Sequence, residues 1–347
     1  MKSTPNGNNL GVLLELLKDV ATKSQVQDFL KQAGCPHSGT WEDVLEKRIP
    51  EALEDELITE DDIINLIDTA EEHGAQHVFL YSCSKKKAAS IIADKSSIKR
   101  TLASYGEAET LKRRVTINTP SALQLVSVRY EAIDAVDVLI LKFLETRESK
   151  ERFDVDTEDN GSVEVQRYRI EKHRTTSSVR LRSDGLIELR IGSAGKGGTN
   201  YEQELEKLFS KAEKYVSMSD FNYYSLSKFK EETGEHYADY VDRIQLKRVA
   251  VRSDQGQMLI GKSDADSEGM VEETLDPLRK FRSAGGQHEY SGVKFIFKDE
   301  EGNTTDVSAN FRGQIHEFSL TKQVSGEQHE HILKLIREAT RNLSKRS

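Results

Sequence analysis

Basic side chains collect between positions 85 and 190, where their type and spacing could neutralise the phosphates of a nucleic acid. Residues 85–114 hold 9 Lys and Arg against 3 Asp and Glu, whereas residues 1–84 hold 6 against 16. Charge is therefore segregated along a chain whose net charge is −9. The cations that we predict to contact nucleic acid are Lys85, Lys86, Lys87, Lys99, Arg100, Lys112, Arg113, Arg114, Arg167, Arg169, Arg180, Arg182 and Arg190.

Three of these arginines belong to a strand pair whose register the sequence specifies. Apolar and polar residues alternate through 178–191, which is typical of a half-buried antiparallel pair. A three-residue loop at 183–185, with Gly185 in the left-handed conformation, places Leu181 opposite Ile187 and keeps the apolar side chains on one face. The arginines of the other face, which we expect to be exposed, are Arg180, Arg182 and Arg190.

The same hairpin carries the best candidate for a catalytic cluster. Asp184, Glu188 and Arg190 can be grouped as the acidic and basic residues of a nuclease. The predicted register, however, places Glu188 opposite Arg180, so that a cross-strand ion pair explains the carboxylate. The sequence therefore predicts no catalytic residue.

Two loops resemble ligand-binding motifs without matching them. The loop Gly192–Thr199 precedes a helix, but it lacks the spacing of a nucleotide phosphate loop, and Thr199 with Glu202 forms a capping box. We interpret the loop as a flexible connector, with phosphate binding as the alternative. Residues 264–269 begin like a calcium loop, but Leu275 stands where that loop needs a glutamate.

The sequence predicts no metal site and no cofactor. His329 and His331 are two residues apart, on different faces of a helix, and we expect both to be solvated. Cys35 and Cys83 have neither metal nor disulfide spacing and are expected to be thiols. No apolar run approaches the ~18 residues of a membrane helix, and no secretory signal is visible. These features predict a cytoplasmic or nuclear protein that does not interact with a membrane.

The elements that position these residues predict an α+β protein. Capping boxes at Thr40 with Asp43 and at Thr59 with Asp62 indicate an acidic bundle of four or five helices. The segment His77–Tyr81 is expected to be extended. Two basic helices follow, at 85–92 and 98–105.

After Gly106 the sequence favours antiparallel strands. They are predicted at 115–117, 123–130, 136–143 and 163–172, with residues 145–162 as an exposed loop or a domain boundary. From residue 178 onward, a strand-strand-helix unit repeats three times. The predicted domains are an acidic helical bundle with a basic end at 1–106, a β-rich domain with helices at 107–240, and strand-strand-helix repeats at 241–347, possibly within the same sheet domain.

The order of elements over roughly residues 10–145 resembles the centromere protein N family of inner kinetochore adaptors. The similar features are the acidic bundle, the extended segment His77–Tyr81, the two basic helices of Lys85–Tyr105, and then Leu111–Tyr130 with antiparallel sheet. Members of that family bind nucleosomal DNA through a positive groove between the helical part and the sheet. The resemblance thus implies phosphate contacts for Lys85–Lys87 and Lys112–Arg114, and it ends before the repeated units.

Three functions fit the sequence. The first is a non-enzymatic adaptor that contacts the backbone of duplex DNA, because aromatic residues for stacking single strands are sparse on the basic faces. The second is a protein-protein adaptor, a complex subunit that binds no nucleic acid. The third is a divergent nuclease or other enzyme with a scattered site. A competing explanation of the cations is that they pair with the acidic bundle, within the chain or across a dimer.

Overall fold

The computed structural model describes residues 7–112, 115–158, 163–193, 199–264, 269–298 and 304–346. With 41% helix and 32% strand, the chain is an α+β protein, as predicted. It divides into two compact units. The first comprises the described residues of 1–74, 91–180 and 192–217, and the second comprises those of 75–90, 181–191 and 218–347. The three-domain division remains a prediction.

The described chain begins with consecutive helices, and strands and helices are mixed after them. The helices are α1 (Gly7–Val20), α2 (Lys23–Gln32), α3 (Trp41–Asp43), α4 (Ile49–Glu54), α5 (Glu60–Glu72), α6 (Lys85–Ala93), α7 (Lys95–Ser104), α8 (Tyr201–Ala212), α9 (Ser227–Glu235), α10 (Glu272–Ser283) and α11 (Gly326–Arg346). The strands are β1 (Gln76–Ser82), β2 (Gln124–Ile133), β3 (Val136–Glu158), β4 (Val163–Arg182), β5 (Leu186–Gly192), β6 (Asn222–Tyr223), β7 (Ile244–Arg252), β8 (Met258–Lys262), β9 (Gln287–Lys298), β10 (Thr304–Phe311) and β11 (Glu317–Leu320).

In the first unit, α1 to α5 form the predicted helical bundle. Both predicted capping boxes are confirmed, at Thr40 before α3 and at Thr59 before α5. Such caps satisfy backbone N–H groups that have no partner within the helix. The inner faces of the helices pack into one apolar core, where Leu17, Leu30 and Ile63 are fully buried.

Several predictions of local structure in the first unit are wrong. Residues 115–117 are not a strand, because Arg174 donates to the carbonyls of Thr116 and Ile117, which a neighbouring strand would otherwise use. Residues 145–158 are not a loop but continue β3 as a long ribbon with β4. Helix α8 is capped by Asn200 in place of Thr199.

In the second unit, the strands pair in the order β5-β1-β11-β10-β9-β7-β8, and β6 also pairs with β1. Strand β1 pairs antiparallel with β11, where Gln76 lies opposite Leu320, and β9 pairs antiparallel with both β7 and β10. Helices α9, α10 and α11 contribute Phe229, Leu278 and Ile336 to the same apolar core. The sheet therefore buries one continuous core against three helices.

The predicted hairpin loop is confirmed between β4 and β5. Gly185 has a φ of 93°, in the left-handed region that favours glycine. A Cβ at this position would also lie 2.4 Å from the carbonyl oxygen of Cys83. Backbone conformation and close packing thus both require a glycine here.

Several predicted features lie outside the described residues. They are Arg113, Arg114, most of the connector at 194–198, and parts of three loops at 159–162, 265–268 and 299–303. In element order, β7, β8 and α10 follow one another as β4, β5 and α8 do. Within the described part of the chain, none of the helices has the length and apolar character needed to cross a bilayer.

Candidate functional site

The arginines of the β4-β5 hairpin are buried, so the prediction that they form an exposed basic face is wrong. Arg180, Arg182 and Arg190 are 4%, 5% and 1% exposed. Arg182 donates to Glu330 of α11, and the Nη2 atom of Arg190 donates to Glu188 over 2.7 Å. A buried guanidinium is costly unless it is paired, and these carboxylates supply the counter-charge. Both pairs are structural.

The nuclease-like cluster is closed to a substrate. Glu188 is fully buried, and its Oε2 atom lies 2.7 Å from Nε2 of His329. His329 is also fully buried, so the expectation of a solvated histidine is wrong. Asp184 accepts a hydrogen bond from Arg337 over 2.6 Å. Burial would raise the pKa of Asp184, but the bond to Arg337 outweighs it and the pKa is lowered.

Two of the predicted phosphate-binding lysines are exposed at the start of α6, in the second unit. Lys85 and Lys86 point to solvent and have no ion pair within the described residues. Lys87, by contrast, is partly buried and donates to Asp220. Within the described residues, only the first two lysines of this triplet are therefore without a carboxylate partner.

In the first unit, α7 carries a row of exposed cations. Lys95, Lys99 and Arg100 have no ion pair within the described residues. The ammonium of Lys95 lies 4.7 Å from the ring centre of Tyr130. Tyr105, at the end of the same helix, is 54% exposed. Helix α7 thus presents exposed cations that form no ion pair within the described residues, and such cations are able to neutralise phosphates.

The remaining predicted cations of the first unit are exposed but less isolated. Lys112 lies 4.0 Å from Glu109. Arg167 and Arg169 are exposed on the β3-β4 ribbon, where they alternate with Tyr168 and Ile170. Since successive side chains of a strand point to opposite faces, the two arginines share one face and the two apolar residues the other.

The acidic bundle does pair with cations. Most of them were not predicted to bind nucleic acid, but the predicted Arg180 also interacts electrostatically with Glu72 of the bundle. Lys142 of β3 contacts both Asp68 and Glu71 at 2.5 Å, and its side chain is 1% exposed. Arg129 pairs with Asp68 at 2.9 Å, and Arg174 pairs with Glu71 at 2.6 Å. Burial would lower the pKa of Lys142, but the carboxylates outweigh it and raise the pKa.

A second group of cations lines a cleft of about 600 Å³ in the second unit. Its residues come from α9, β7, β9 and the end of α10, among them Lys230, Arg252, Arg282 and His288. This cleft could not be predicted from the sequence, because Leu226, which precedes α9, provides no capping side chain and the charged residues of the helix look solvated. No local sequence pattern therefore predicts the start of α9 or the burial of Lys230.

Within the described residues, no group of His, Cys, Asp and Glu is arranged to hold a metal ion. Cys35 and Cys83 are free thiols, as predicted. No family model matches this chain, and none of the curated proteins matches it significantly.

Proposed function

We propose that the protein is a non-enzymatic adaptor that contacts the backbone of duplex nucleic acid through exposed cations, with α7 as the central element. One observation carries this proposal. The cations of α7 form no ion pair within the described residues, whereas Arg182 and Arg190 of the hairpin are buried and paired with carboxylates. A cation that is exposed and unpaired is available to a phosphate and to the counter-ion release that drives such binding.

Fluorescence anisotropy with a labelled 30-base-pair duplex at several salt concentrations tests the proposal. Lys99→Ala/Arg100→Ala should weaken binding and reduce the slope of log affinity against log salt by about 2, since each phosphate contact contributes about 0.9. The matched control is Lys18→Ala/Lys31→Ala, which removes two exposed cations from the acidic bundle. A wild-type protein that does not bind at low salt, or equal effects of both pairs, would refute the proposal.

Lys85→Ala/Lys86→Ala measures the contribution of the second unit in the same assay. If these lysines contact phosphates, as the resemblance to the centromere protein N family implies, the salt slope should fall by a similar amount. An unchanged slope would restrict the interface to the first unit.

A protein-protein adaptor is the second candidate, and the β3-β4 ribbon favours it. Tyr168 and Ile170 are 49% and 56% exposed on one face of the ribbon. Exposed apolar side chains on a two-stranded ribbon are typical of a surface that another chain covers. A photo-crosslinker at position 168 should then capture one defined protein, and Ile170→Ser should abolish its capture.

A further inference from the structure

The buried lysine of the cleft forms no ion pair within the described residues. Lys230 is 8% exposed, and the only hydrogen bond of its ammonium within the described residues goes to the carbonyl oxygen of His288 over 3.4 Å. Burial lowers the pKa of Lys230, because water is removed from the cation, and the negative charge of Glu289 opposes this shift only in part.

The arginines that share the cleft are neutralised. Arg252 donates to both carboxylate oxygens of Glu289. Arg282 pairs with Glu231 at 3.0 Å and with Glu235 at 2.8 Å. Because Glu231, Glu235 and Glu289 are engaged by these arginines, Lys230 is the buried cation of the cleft that forms no ion pair within the described residues.

His288 adds a second polar group that needs a partner. Its Nδ1 atom is buried and makes no hydrogen bond within the described residues. Burial, with further effects of Arg282 and Lys230, lowers the pKa of His288 to about 4, so that its ring is neutral near pH 7. The Nδ1 atom of a neutral ring donates or accepts a hydrogen bond according to the tautomer.

We propose that the cleft binds a small molecule through an oxyanion group, a phosphate or a carboxylate, that pairs with the ammonium of Lys230. The ligand supplies the direct ion pair that Lys230 does not form with the described residues, and the cleft has the volume of ordinary small-molecule sites. Lys230 acts as a point charge with donors to spare, since an ammonium carries three and the described contacts use one. This site goes beyond the proposed binding of nucleic acid and does not depend on it.

Isothermal titration with sodium phosphate and, separately, sodium acetate tests the proposal at pH 7.5 and constant ionic strength. Wild-type protein should bind one of the two, which identifies the anion. Lys230→Met should weaken that binding at least tenfold. The matched control is Lys228→Met, because Lys228 lies on the same helix and is exposed. A wild-type protein that binds neither anion, or equal binding by Lys230→Met, would overturn the proposal.

A measurement on the wild-type protein is independent of how the variant folds. Reductive methylation followed by mass spectrometry reports how fast each lysine amine reacts. The bound anion should slow the modification of Lys230 and leave that of Lys228 unchanged. Equal rates with and without the anion would contradict a contact at Lys230. Duplex binding by Lys230→Met should match the wild type, which separates this proposal from the first.

Discussion

Each unit buries one lysine in a different way, and the comparison separates structural charge from available charge. Lys142 in the first unit is 1% exposed and contacts two carboxylates, whereas Lys230 in the second unit is 8% exposed and contacts only a carbonyl within the described residues. The pKa of Lys142 is raised by its partners, and that of Lys230 is lowered by burial.

The comparison teaches that burial alone does not identify a functional cation. A buried cation with carboxylates close by forms part of the folded framework, since removal of either partner leaves the other charge without compensation. A buried cation that forms no ion pair is a standing cost to the fold, which an anionic ligand can offset.

The largest expected effect is the loss of the Lys142 ammonium. Lys142→Met leaves Asp68 and Glu71 buried with less positive charge, and the free energy of unfolding should fall by about 3 to 5 kcal/mol. Urea denaturation measures the change. Lys150→Met, at an exposed position of the same strand, should change it by less than about 0.5 kcal/mol. If Lys142→Met lowered the free energy of unfolding as little as Lys150→Met does, the difference drawn between Lys142 and Lys230 would be refuted.

The histidine of the cleft should make the protein sensitive to acid. The pKa of His288 is about 4 in the folded state, against an ordinary value of 6.5, so the unfolded chain takes up the proton first as the pH falls. The stability contributed by neutral His288 is complete above pH 6.5 and is lost as the pH falls to about 4, by about 3 kcal/mol. Urea denaturation of His288→Gln at each pH should show a curve flatter than that of the wild type by this amount. Parallel curves would contradict the assignment.

Lys230→Met should stabilise the protein in buffer without phosphate, in contrast to Lys142→Met. The substitution removes a desolvated cation and keeps the length of the side chain, for a gain of about 1 kcal/mol in the free energy of unfolding. Thermal and urea denaturation both report it, with Lys228→Met as the neutral control. A loss of several kcal/mol would instead assign Lys230 to the framework.

The smallest expected effect is that the stability contributions of Lys230 and Lys142 change in opposite directions at alkaline pH. Because the folded-state pKa of Lys230 is lowered, the unfolded chain holds more protons below pH 10.5. The difference in the free energy of unfolding between Lys230→Met and the wild type should therefore narrow by less than about 1 kcal/mol as the pH rises to that value. The pKa of Lys142 is raised, so its contribution should persist to pH 10.5 and decline only above it. Denaturation curves between pH 7.5 and 11 distinguish the two.

Local signals in the sequence predicted local structure well. The capping boxes at Thr40 and Thr59 and the loop at Gly185 each depend on residues only a few positions apart. The extended segment before α6 was also predicted, because aromatic and β-branched residues favour strands.

The burial of charge could not be predicted, because it depends on distant partners. Alternation along β4 and β5 indicates one apolar face, yet Arg182 of the other face is covered through Glu330, 148 residues away. Lys230 is hydrogen-bonded to a carbonyl 58 residues further on. On a single helix or strand, such residues look like ordinary solvated cations, and only the packed fold distinguishes them.

The pairing of β1 with β11 has a consequence for biosynthesis. His77 emerges from the ribosome long before Glu317, its hydrogen-bonded partner 240 residues later. During translation, the backbone groups of β1 that pair with β11 therefore remain unpaired, and they can form incorrect contacts with other chains. A nascent chain arrested before residue 317 should consequently depend on chaperones. Slow pairing of β1 with β11 should also limit the rate at which the protein folds.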